Sequence, residues 1–319
     1  MTVLVVGDAN VDLDIRLPDQ SRASEHANPD PQLFGGGSAA NTAAALARLG
    51  LDCRFAGAVG DDSFGRFAVS SLAAAGVDTS CVTASPDLPT VTVITVKQPD
   101  GERLIYVWPP SGGAHSALEV ESAIAAVSGA EWLHVSGICL RVRPAREALL
   151  ATMARARADG IMVSFDLNLR LENWGWDDGF RDVVMAAVER SDVVLGAAED
   201  EVAALAGNAD PIAAATALAG SDRTVVARLG AAGAVACSAA SVAAEPGFEV
   251  LVVDTVGAGD AFNAGFIASR LGGGSIAEAL RWGNGVAALS IGEAGARSTP
   301  QSEQLRSFLS PLRRPSTDE

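Results

Sequence analysis

Short apolar runs alternate with segments of helical periodicity along most of the chain. The runs predicted as strands are VLVVG (3–7), FAGAVG (55–60), WLHVSG (132–137), IMVSFDLN (161–168), DVVLG (192–196), TVVARLG (224–230), VACS (235–238) and FEVLVV (248–253). The segments predicted as helices are 41–49, 64–75, 144–158, 177–190, 199–206 and 258–271. This alternation predicts an α/β protein with a largely parallel central sheet covered by helices on both faces. In such folds, ligands bind beyond the carboxyl ends of the strands.

Two segments interrupt the alternation. Residues 11–34 are polar and contain prolines, and residues 90–110 have the pattern of two strands joined by a Pro-Asp-Gly turn. We interpret them as parts of a small β lid; an edge hairpin plus a loop is the alternative. The predicted organisation is an α/β domain (1–10, 35–89 and 114–312) that binds nucleotide and substrate, an inserted β lid (11–34 and 90–113) and a frayed tail (313–319).

Composition removes several classes of function. The 319 residues are 49% hydrophobic and 19% charged, which is enough for one large core or two modest domains. The net charge of -16 argues against a protein that binds the phosphate backbone, so we expect no nucleic-acid partner. The uncharged segment 229–244 is short for a membrane span and contains Gly and Ser. No basic segment precedes the first strand, so we expect a cytoplasmic protein without a membrane partner.

The four cysteines lie far apart in the sequence. No CxxC pair is present, and the spacing does not match a metal site. We therefore predict buried free thiols.

The candidate chemistry centres on DTVGAGDAF, residues 254–262. A glycine-rich turn that opens a helix presents free backbone N–H groups to an anion. A Walker-type phosphate loop is excluded, because the only lysine in the chain, Lys97, lies in the predicted hairpin. The carboxylate of Asp260 has two interpretations. It caps the helix, or it is a general base beside an anion site.

The longer stretch DTVGAGDAFNAGF (254–266) resembles the C-terminal signature of the ribokinase-like (PfkB) carbohydrate kinases. FGGGSAANTAAALARLG (34–50) is similar to the N-terminal signature of that family, and AGAVGDDSFG (56–65) follows as expected. Further similar elements are GDANVDLDI (7–15), FDLNLR (165–170) and WGNGVAALS (282–290), so the resemblance covers about residues 3–300. It implies a ribokinase-like α/β fold, with a mostly parallel sheet sandwiched by helices and a small β lid.

The resemblance also assigns roles to individual residues. Asp260 is the expected base, and the backbone of Gly257, Ala258 and Gly259 is the expected anion hole. The residues expected to contact the sugar are Asn10, Asp12, Gly36, Gly37 and Asn41, with Arg103 and Arg170 as candidate partners of an acidic sugar. The expected nucleotide contacts are Arg228, Gly230 and Asn284. Glu201 is expected to act through magnesium, and Asp254 with the Val256 carbonyl is expected to hold a monovalent cation.

The implied activity is transfer of the γ-phosphoryl group of ATP to a hydroxymethyl group of a small sugar or sugar acid, with Mg²⁺ and a monovalent cation such as K⁺. The chain departs from the family pattern at several positions. Ala198 replaces the asparagine of an NxxE element, which puts metal handling in question. Gly137 and Ser38 stand where a ribokinase carries a glutamate and a lysine, so fructose or 2-keto-3-deoxygluconate is favoured over ribose. Trp108 stands where an acid sugar's arginine is expected.

Two other functions stay open at this point. GGGSAA (35–40) fits the GxGxxA fingerprint of a dinucleotide site, and Asp61 lies about 20 residues beyond, as an NAD-dependent oxidoreductase requires. The residues before GGGSAA do not form a convincing strand, which weakens this reading. A sugar-binding regulator with a kinase fold and weak catalysis is the other alternative, favoured by Ala198. The strands of the lid could also pair with a second copy of the chain, which makes a homodimer plausible.

Overall fold

Strand β1 (Thr2–Val6) is an interior strand of the largest sheet, and its side chains are apolar on both faces. Leu4 and Val6 pack into one hydrophobic core, whereas Val3 and Val5 pack into a second core on the opposite face. All four side chains are fully buried. A strand that is buried on both faces is typical of a parallel sheet between two helical layers.

The computed structural model describes residues 1–17, 31–98, 100, 102–110 and 112–310, with only the backbone at 103, 173 and 174. The strands after β1 are β2 (Asn10–Arg16), β3 (Gln32–Gly36), β4 (Asp52–Gly60), β5 (Asp78–Ser85), β6 (Thr92–Lys97), β7 (Arg103–Trp108), β8 (Trp132–Ser136), β9 (Met162–Asp166), β10 (Val193–Ala197), β11 (Thr224–Arg228), β12 (Ala234–Cys237) and β13 (Val242–Glu245). The α-helices are α1 (Ser38–Arg48), α2 (Ser63–Ala74), α3 (Val120–Ala125), α4 (Ala145–Ala158), α5 (Leu171–Trp174), α6 (Asp178–Val188), α7 (Ala203–Ala206), α8 (Pro211–Ala219), α9 (Ala258–Leu271), α10 (Ile276–Ser290) and α11 (Ser302–Leu309).

The main sheet has the strand order β13-β12-β11-β10-β9-β8-β1-β4-β5. All neighbours are parallel except β11–β12 and β12–β13, which are antiparallel. The predicted α/β class with a mostly parallel sheet is therefore confirmed. Because the parallel strands end at one edge, the residues that follow β1, β9, β10 and β11 come together there.

The prediction of a strand at 248–253 is wrong. The chain leaves the sheet after β13 and runs without regular structure from Pro246 to Val256. Pro246 has no N–H with which to extend the ladder. Of the apolar side chains that suggested a strand, Leu251, Val252 and Val253 are 50–84% exposed, whereas Phe248 packs against Phe308. This segment is held by backbone hydrogen bonds from Val253 and Asp254 to the Ile291 carbonyl.

A second sheet has the order β3-β2-β6-β7. The hairpin predicted within 90–110 is present, since β6 and β7 pair antiparallel. Strand β2 pairs parallel with β6 and antiparallel with β3. The strands include Asn10, Gly35 and Gly36, which the sequence analysis assigned to the main domain. Most of the predicted lid segment 11–34, namely 18–30, lies outside the described residues, as does the predicted tail 313–319.

The cysteines of the described chain are free thiols. Cys53, Cys139 and Cys237 are buried as predicted, whereas Cys81 is half-buried. In the part of the chain that the structure describes, no single helix is long and apolar enough to cross a membrane. One pair of short helical segments, Ala198–Ala206 and Pro211–Ala219, meets the length and composition criteria together, but it is bent by 51°.

Candidate active site

Asp260 lies in the first turn of α9, where two side chains of α1 hold its carboxylate. The Ser38 hydroxyl donates to Oδ1 at 2.6 Å, and the Asn41 amide Nδ2 donates to Oδ2 at 3.0 Å. The residue is only 9% exposed. Burial raises the pKa of Asp260 to about 7, although the hydrogen bonds from Ser38 and Asn41 act in the opposite direction. A carboxyl group with this pKa can exchange a proton at neutral pH.

The predicted anion hole is the glycine turn that precedes Asp260. Gly257 has a φ of 80° and is the N-cap of α9, which leaves the first N–H groups of the helix free of intrahelical partners. The N–H groups of Gly257 and Gly259 find no acceptor among the described residues, whereas the N–H of Ala258 donates to the Thr255 carbonyl at 3.3 Å. Two of the three predicted donors are therefore available to an anion.

Arg228, at the end of β11, lies beneath this turn. Its Nη2 pairs with Asp166 Oδ1 at 2.8 Å, and its Nη1 donates to Asn263 Oδ1 at 2.6 Å. A Cβ on Gly259 would lie 3.4 Å from the guanidinium carbon. The guanidinium is thus held inside the protein behind the anion hole, and its predicted contact with nucleotide stays a prediction.

Glu201 lies in a π-helical turn, Ala198–Val202, directly after β10. Its Oε1 accepts the Leu169 N–H at 2.8 Å, and its Oε2 accepts the Ala197 N–H at 2.7 Å. Burial raises the pKa of Glu201, and the charge of nearby Asp166 raises it further. The side chain therefore ties together the chain segments that follow β9 and β10. Within the described ranges, no three His, Cys, Asp or Glu side chains form a cluster that could hold a metal ion.

The predicted sugar contacts lie on the smaller sheet. Asn10 and Asp12 alternate along β2, and Asn10 is paired with Gly36 of β3. A Cβ on Gly36 would overlap Asn10 Oδ1 and would lie 2.6 Å from both carboxylate oxygens of Asp12. Asn10 Oδ1 is buried and has no hydrogen-bond partner in the described structure. Burial raises the pKa of Asp12 to about 6, whereas the charge of Arg297 lowers it. The glycine thus leaves space in which two polar side chains converge.

Asp8 connects the first strand to helix α1, and the sequence analysis did not identify it. Its Oδ2 accepts the N–H of Ser38 at 2.9 Å, and its Oδ1 accepts the N–H of Ala39 at 3.1 Å. This carboxylate caps α1 in place of the N-cap residue Gly37, whose φ is 96°. The predicted helix start at residue 41 is consequently three residues late. The available signal was an aspartate two residues after a buried strand.

Arg297 was also missed, because it lies outside the recognised motifs. Its Nε donates to Asn41 Oδ1 at 3.0 Å, its Nη1 to Ser71 Oγ at 2.9 Å and its Nη2 to the Gly36 carbonyl at 3.0 Å. Each end of the Asn41 amide is therefore engaged by protein, one by Arg297 and one by Asp260. A direct contact between Asn41 and a sugar hydroxyl stays a prediction.

Asn284 is not directed into an open cleft. Its Nδ2 donates at 3.0 Å to the carbonyls of both Glu245 and Pro246. A Cβ on Gly283 would lie 2.8 Å from the Phe262 ring, and one on Gly285 would lie 2.8 Å from Leu309. Tight helix packing therefore accounts for the two glycines that flank Asn284, and an adenine contact is not needed to explain them.

The remaining predicted site residues are Gly230, Arg170, Asp254 and Arg103. Gly230 has a φ of 59° with open space where a Cβ would be. The Arg170 side chain is exposed, and its backbone is in the left-handed region, with a φ of 48°. Asp254 accepts the N–H groups of Val256 and Gly295 at 3.2 and 3.3 Å. Arg103 lies in β7, but its side chain is outside the described part of the chain.

The family model of pfkB family carbohydrate kinases matches residues 2–303. The chain belongs to this family. An ATP-dependent ribose-1-phosphate kinase of Halopiger xanaduensis is 34% identical over 97% of this chain and 98% of its own length. The aminoimidazole riboside kinase of Salmonella typhimurium is 34% identical over 97% and 95%. A fructokinase of Vibrio alginolyticus is 35% identical over 96% and 98%.

Solved structures agree with this assignment. A Vibrio cholerae fructokinase with bound fructose, ADP and calcium superposes with a TM-score of 0.80 and 32% identity, covering 97% of this chain and 98% of the other. A double mutant of that fructokinase with fructose, ADP and potassium gives a TM-score of 0.79 and 31% identity, with the same coverage. The ribokinase-like fold is confirmed, and the protein is an ATP-dependent carbohydrate kinase.

The GxGxxA stretch of this kinase has no dinucleotide-binding context. The strand before it, β3, belongs to the four-stranded sheet and pairs antiparallel with β2. A dinucleotide fingerprint requires a parallel βαβ unit, in which the first strand feeds the glycine turn. Asp61, the expected ribose ligand, instead forms an exposed ion pair with Arg66 at 3.4 Å.

Proposed function

We propose that this kinase transfers the γ-phosphoryl group of ATP to a hydroxymethyl group of a small sugar or sugar acid, of the fructose or 2-keto-3-deoxygluconate type rather than ribose. The observation that carries the proposal is the placement of Asp260, a buried carboxylate beside two free backbone N–H groups at a helix N-terminus. A base and an anion site must be adjacent for a hydroxyl to attack a phosphoryl group.

In this mechanism, Asp260 accepts the proton of the attacking hydroxyl. Its pKa of about 7 lets it be ionised in the resting enzyme and still take up a proton during the reaction. The N–H groups of Gly257 and Gly259, with the dipole of α9, stabilise the negative charge on the transferring group. The Ala258 N–H would become a third donor to that group if it released the Thr255 carbonyl. Arg228 adds a fixed positive charge beneath them.

The substrate preference is supported by two positions. A Cβ on Gly137 would overlap the Leu167 carbonyl, so no side chain can replace the glutamate expected in a ribokinase. Ser38, at the position where a ribokinase is expected to carry a lysine, is neutral and donates a hydrogen bond to Asp260. Arg170, and Arg103 on the small sheet, are the proposed partners of an acidic sugar. Asn10, Asp12, Gly36, Gly37 and Asn41 are the proposed contacts of the sugar hydroxyls.

The remaining proposed ligands are a nucleotide and two cations. Mg²⁺, when bound with ATP, would neutralise negative charge on the phosphate oxygens. Each Glu201 oxygen accepts one backbone N–H, which leaves a lone pair for a water of a hydrated Mg²⁺. Asp254 and the Val256 carbonyl are the proposed holders of K⁺. Arg228, Gly230 and Asn284 are the proposed nucleotide-side residues.

We further propose that the small sheet is a lid over the sugar. Its strand β2 carries Asn10 and Asp12, whereas Asp260 belongs to the main domain. Closure of the sheet would bring sugar and base together and exclude water that could hydrolyse ATP.

The outer edge of the lid is the proposed homodimer surface. Strand β7 has a neighbour on one side only, and its side chains from Leu104 to Trp108 are 45–63% exposed on both faces. We expect a dimer at micromolar concentration in analytical ultracentrifugation, and Ile105→Glu should make it monomeric. Val242→Glu is the matched control, because Val242 is 54% exposed on β13, the edge strand of the main sheet. A monomeric wild-type protein contradicts the proposal.

The test of the proposed function is ADP release with a panel of sugars, sugar acids and nucleosides, combined with Asp260→Asn. Asparagine keeps the shape and caps a helix about as well as aspartate, but it cannot accept the proton. We expect kcat to fall by roughly 10² to 10⁴ while ATP and sugar still bind. A variant with wild-type turnover would show that Asp260 is only a cap. Tight sugar binding without any ADP release would point to a regulator.

A further inference from the structure

We propose that Arg297 is a positioning residue for the catalytic carboxylate, which it controls through the amide of Asn41. The inference rests on the proposed function, since it takes Asp260 as the base. Arg297 Nε donates to Asn41 Oδ1 at 3.0 Å, and Asn41 Nδ2 donates to Asp260 Oδ2 at 3.0 Å. Arg297, Asn41 and Asp260 thus form a chain of two hydrogen bonds.

The direction of this chain follows from the chemistry of its first member. A guanidinium has only donors, so the amide end that faces it must be the carbonyl oxygen. The NH₂ end of Asn41 is then directed at Asp260. An NH₂ group is a good partner of an ionised carboxylate, whereas an amide carbonyl would favour the protonated acid. Arg297 therefore selects the form of Asp260 that can accept a proton.

The guanidinium is held by three separate elements. Besides Asn41 on α1, it donates to Ser71 on α2 and to the carbonyl of Gly36, the last residue of β3. Gly35 makes room for it, because a Cβ at that position would overlap the guanidinium group. The link therefore joins the sugar-side strand β3 to the helix that carries the two donors of Asp260.

The preceding residue contacts the other half of the site. A Cβ on Gly257 would lie 2.6 Å from the Ala296 carbonyl, so the loop at 296–297 packs against the glycine turn as well. One short loop thus contacts the anion hole through Ala296 and the base through Arg297 and Asn41. This arrangement fixes the base relative to the phosphoryl group that it serves.

Arg297 remains a cation although it is partly withdrawn from water. Burial lowers the pKa of Arg297 to about 10, while the charges of Asp12, Asp260 and Asp8 raise it. Among the described residues, no carboxylate lies within 4.0 Å of its nitrogens, so its hydrogen bonds go to neutral oxygens. The charged groups that act on Asp260 are the carboxylates of Asp8 and Asp166, which oppose its ionisation, and the cations Arg228 and Arg297, which favour it.

The test is the pH dependence of kcat for Arg297→Met and Arg297→Lys. Methionine fills much of the volume but removes the charge and the donors, so we expect kcat at pH 7 to fall roughly 10- to 100-fold. The acid limb of the profile should also move to higher pH, because the charge and the amide orientation that disfavour protonation of Asp260 are both lost. Lysine restores the positive charge but not the planar arrangement of several guanidinium donors. The acid limb of the Arg297→Lys enzyme should therefore stay near that of wild type while its kcat remains reduced.

Arg48→Met is the matched control. Arg48 also lies on α1 and its Nε donates to the Thr299 carbonyl of the same loop at 2.6 Å, but it does not contact Asn41. We expect this variant to lower the melting temperature and to leave the acid limb in place.

A double-mutant cycle with Asn41→Ala separates positioning from general damage. If Arg297 acts through Asn41, Arg297→Met should change kcat less than about two-fold in the Asn41→Ala background. An equal loss in both backgrounds, or an Arg297→Met enzyme with the wild-type pH profile, overturns the inference. Arg297→Lys supplies the same cycle if the methionine variant does not fold. Failure of the proposed function is distinct, since Asp260→Asn would then keep wild-type turnover.

Discussion

The two halves of the candidate site are built differently. In the half that belongs to the main sheet, Asp166, Glu201 and Arg228 form a buried ionic group, in which charged atoms have hydrogen-bonded partners. In the half on the smaller sheet, the carboxylate of Asp12 has no ion-pair partner and Asn10 Oδ1 has no hydrogen-bond partner within the described residues. The ionic group of the first half is held together within the protein, and the N–H groups of Gly257 and Gly259 beside it are left for an anion. The second half presents polar atoms that a sugar hydroxyl can satisfy.

This difference indicates that the main-sheet half is a rigid catalytic framework, whereas the small-sheet half recognises the sugar. Stabilisation of a transferring phosphoryl group requires donors that are already in place, because their reorganisation would add to the barrier. Recognition of a sugar gains specificity when buried polar groups are left unpaired by the wrong ligand. Variants in the main-sheet half should therefore change stability and turnover, whereas variants in the small-sheet half should change sugar affinity.

The largest expected effect is on folding, in Arg228→Met. The substitution leaves Asp166, which is 2% exposed, and Glu201 buried without their cation. Removing one partner of a buried pair usually costs about 3 to 5 kcal/mol of unfolding free energy, which is a large share of the stability of a typical domain. Urea unfolding without ligands measures this loss. Arg228→Lys should recover part of it by restoring the charge.

Arg157→Met is the control for this prediction. Arg157 pairs with Asp192 at 3.4 Å, but the two side chains are 37% and 30% exposed. A pair of this kind contributes at most about 1 kcal/mol. If both arginine variants lose equal stability, the ionic group beneath the anion hole is not a special feature of this half.

Much of the fold can be predicted from the sequence, because burial on both faces of a strand leaves a local signature. The positions of the parallel strands follow from that signature, and the bounds of α9, Ala258–Leu271, follow from helical periodicity. The strand predicted at 248–253 failed, since an apolar run indicates a strand only if a sheet edge is available to it. Here Pro246 ends the ladder, and Leu251 is exposed.

The site was predictable only in part, for a different physical reason. Asp260 and the glycine turn are contiguous, so their joint meaning can be recognised locally. Ser38 and Arg297 act on residues 222 and 256 positions away, respectively. No periodicity encodes such contacts; the topology brings them together. The glycines beside Asn284 show the converse, because a pattern compatible with ligand approach is explained by helix packing.

The second prediction tests the small-sheet half through Gly36→Ala. The added methyl group would overlap Asn10 Oδ1 and lie 2.6 Å from the Asp12 carboxylate, so both side chains must move. Overpacking of this kind typically costs 1 to 3 kcal/mol, so we expect KM for the sugar to rise roughly 10- to 100-fold. KM for ATP should be unchanged. Steady-state kinetics with each substrate varied in turn distinguishes the two constants.

Gly179→Ala is the matched control, because Gly179 lies in α6 and a Cβ there would approach only the Asp177 side chain, at 3.3 Å. We expect it to leave both KM values unchanged. If Gly36→Ala raises the KM of ATP as much as that of the sugar, then Asn10 and Asp12 do not form a separate sugar-side half.

The smallest predicted effect is that of Ser38→Ala, at the boundary between the two halves. The Ser38 hydroxyl donates to Asp260 at 2.6 Å and thereby lowers the pKa of that carboxyl, which burial has raised to about 7. Loss of a hydrogen bond to a charged group should raise this pKa by about one unit. Because the base must be unprotonated, the acid limb of kcat then moves to higher pH.

The size of the loss should therefore depend on pH. With a pKa near 8 instead of 7, the ionised fraction of Asp260 at pH 7 falls about five-fold, whereas at pH 9 it is almost unchanged. We expect Ser38→Ala to be about five-fold slower at pH 7 and close to wild type at pH 9. Ser70→Ala is the control, since Ser70 is exposed on α2 and donates only to backbone carbonyls of its own helix. A loss of kcat that is equal at both pH values would mean that Ser38 shapes the junction of α1 and α9 without tuning the base, and the boundary between the two halves would then be structural rather than chemical.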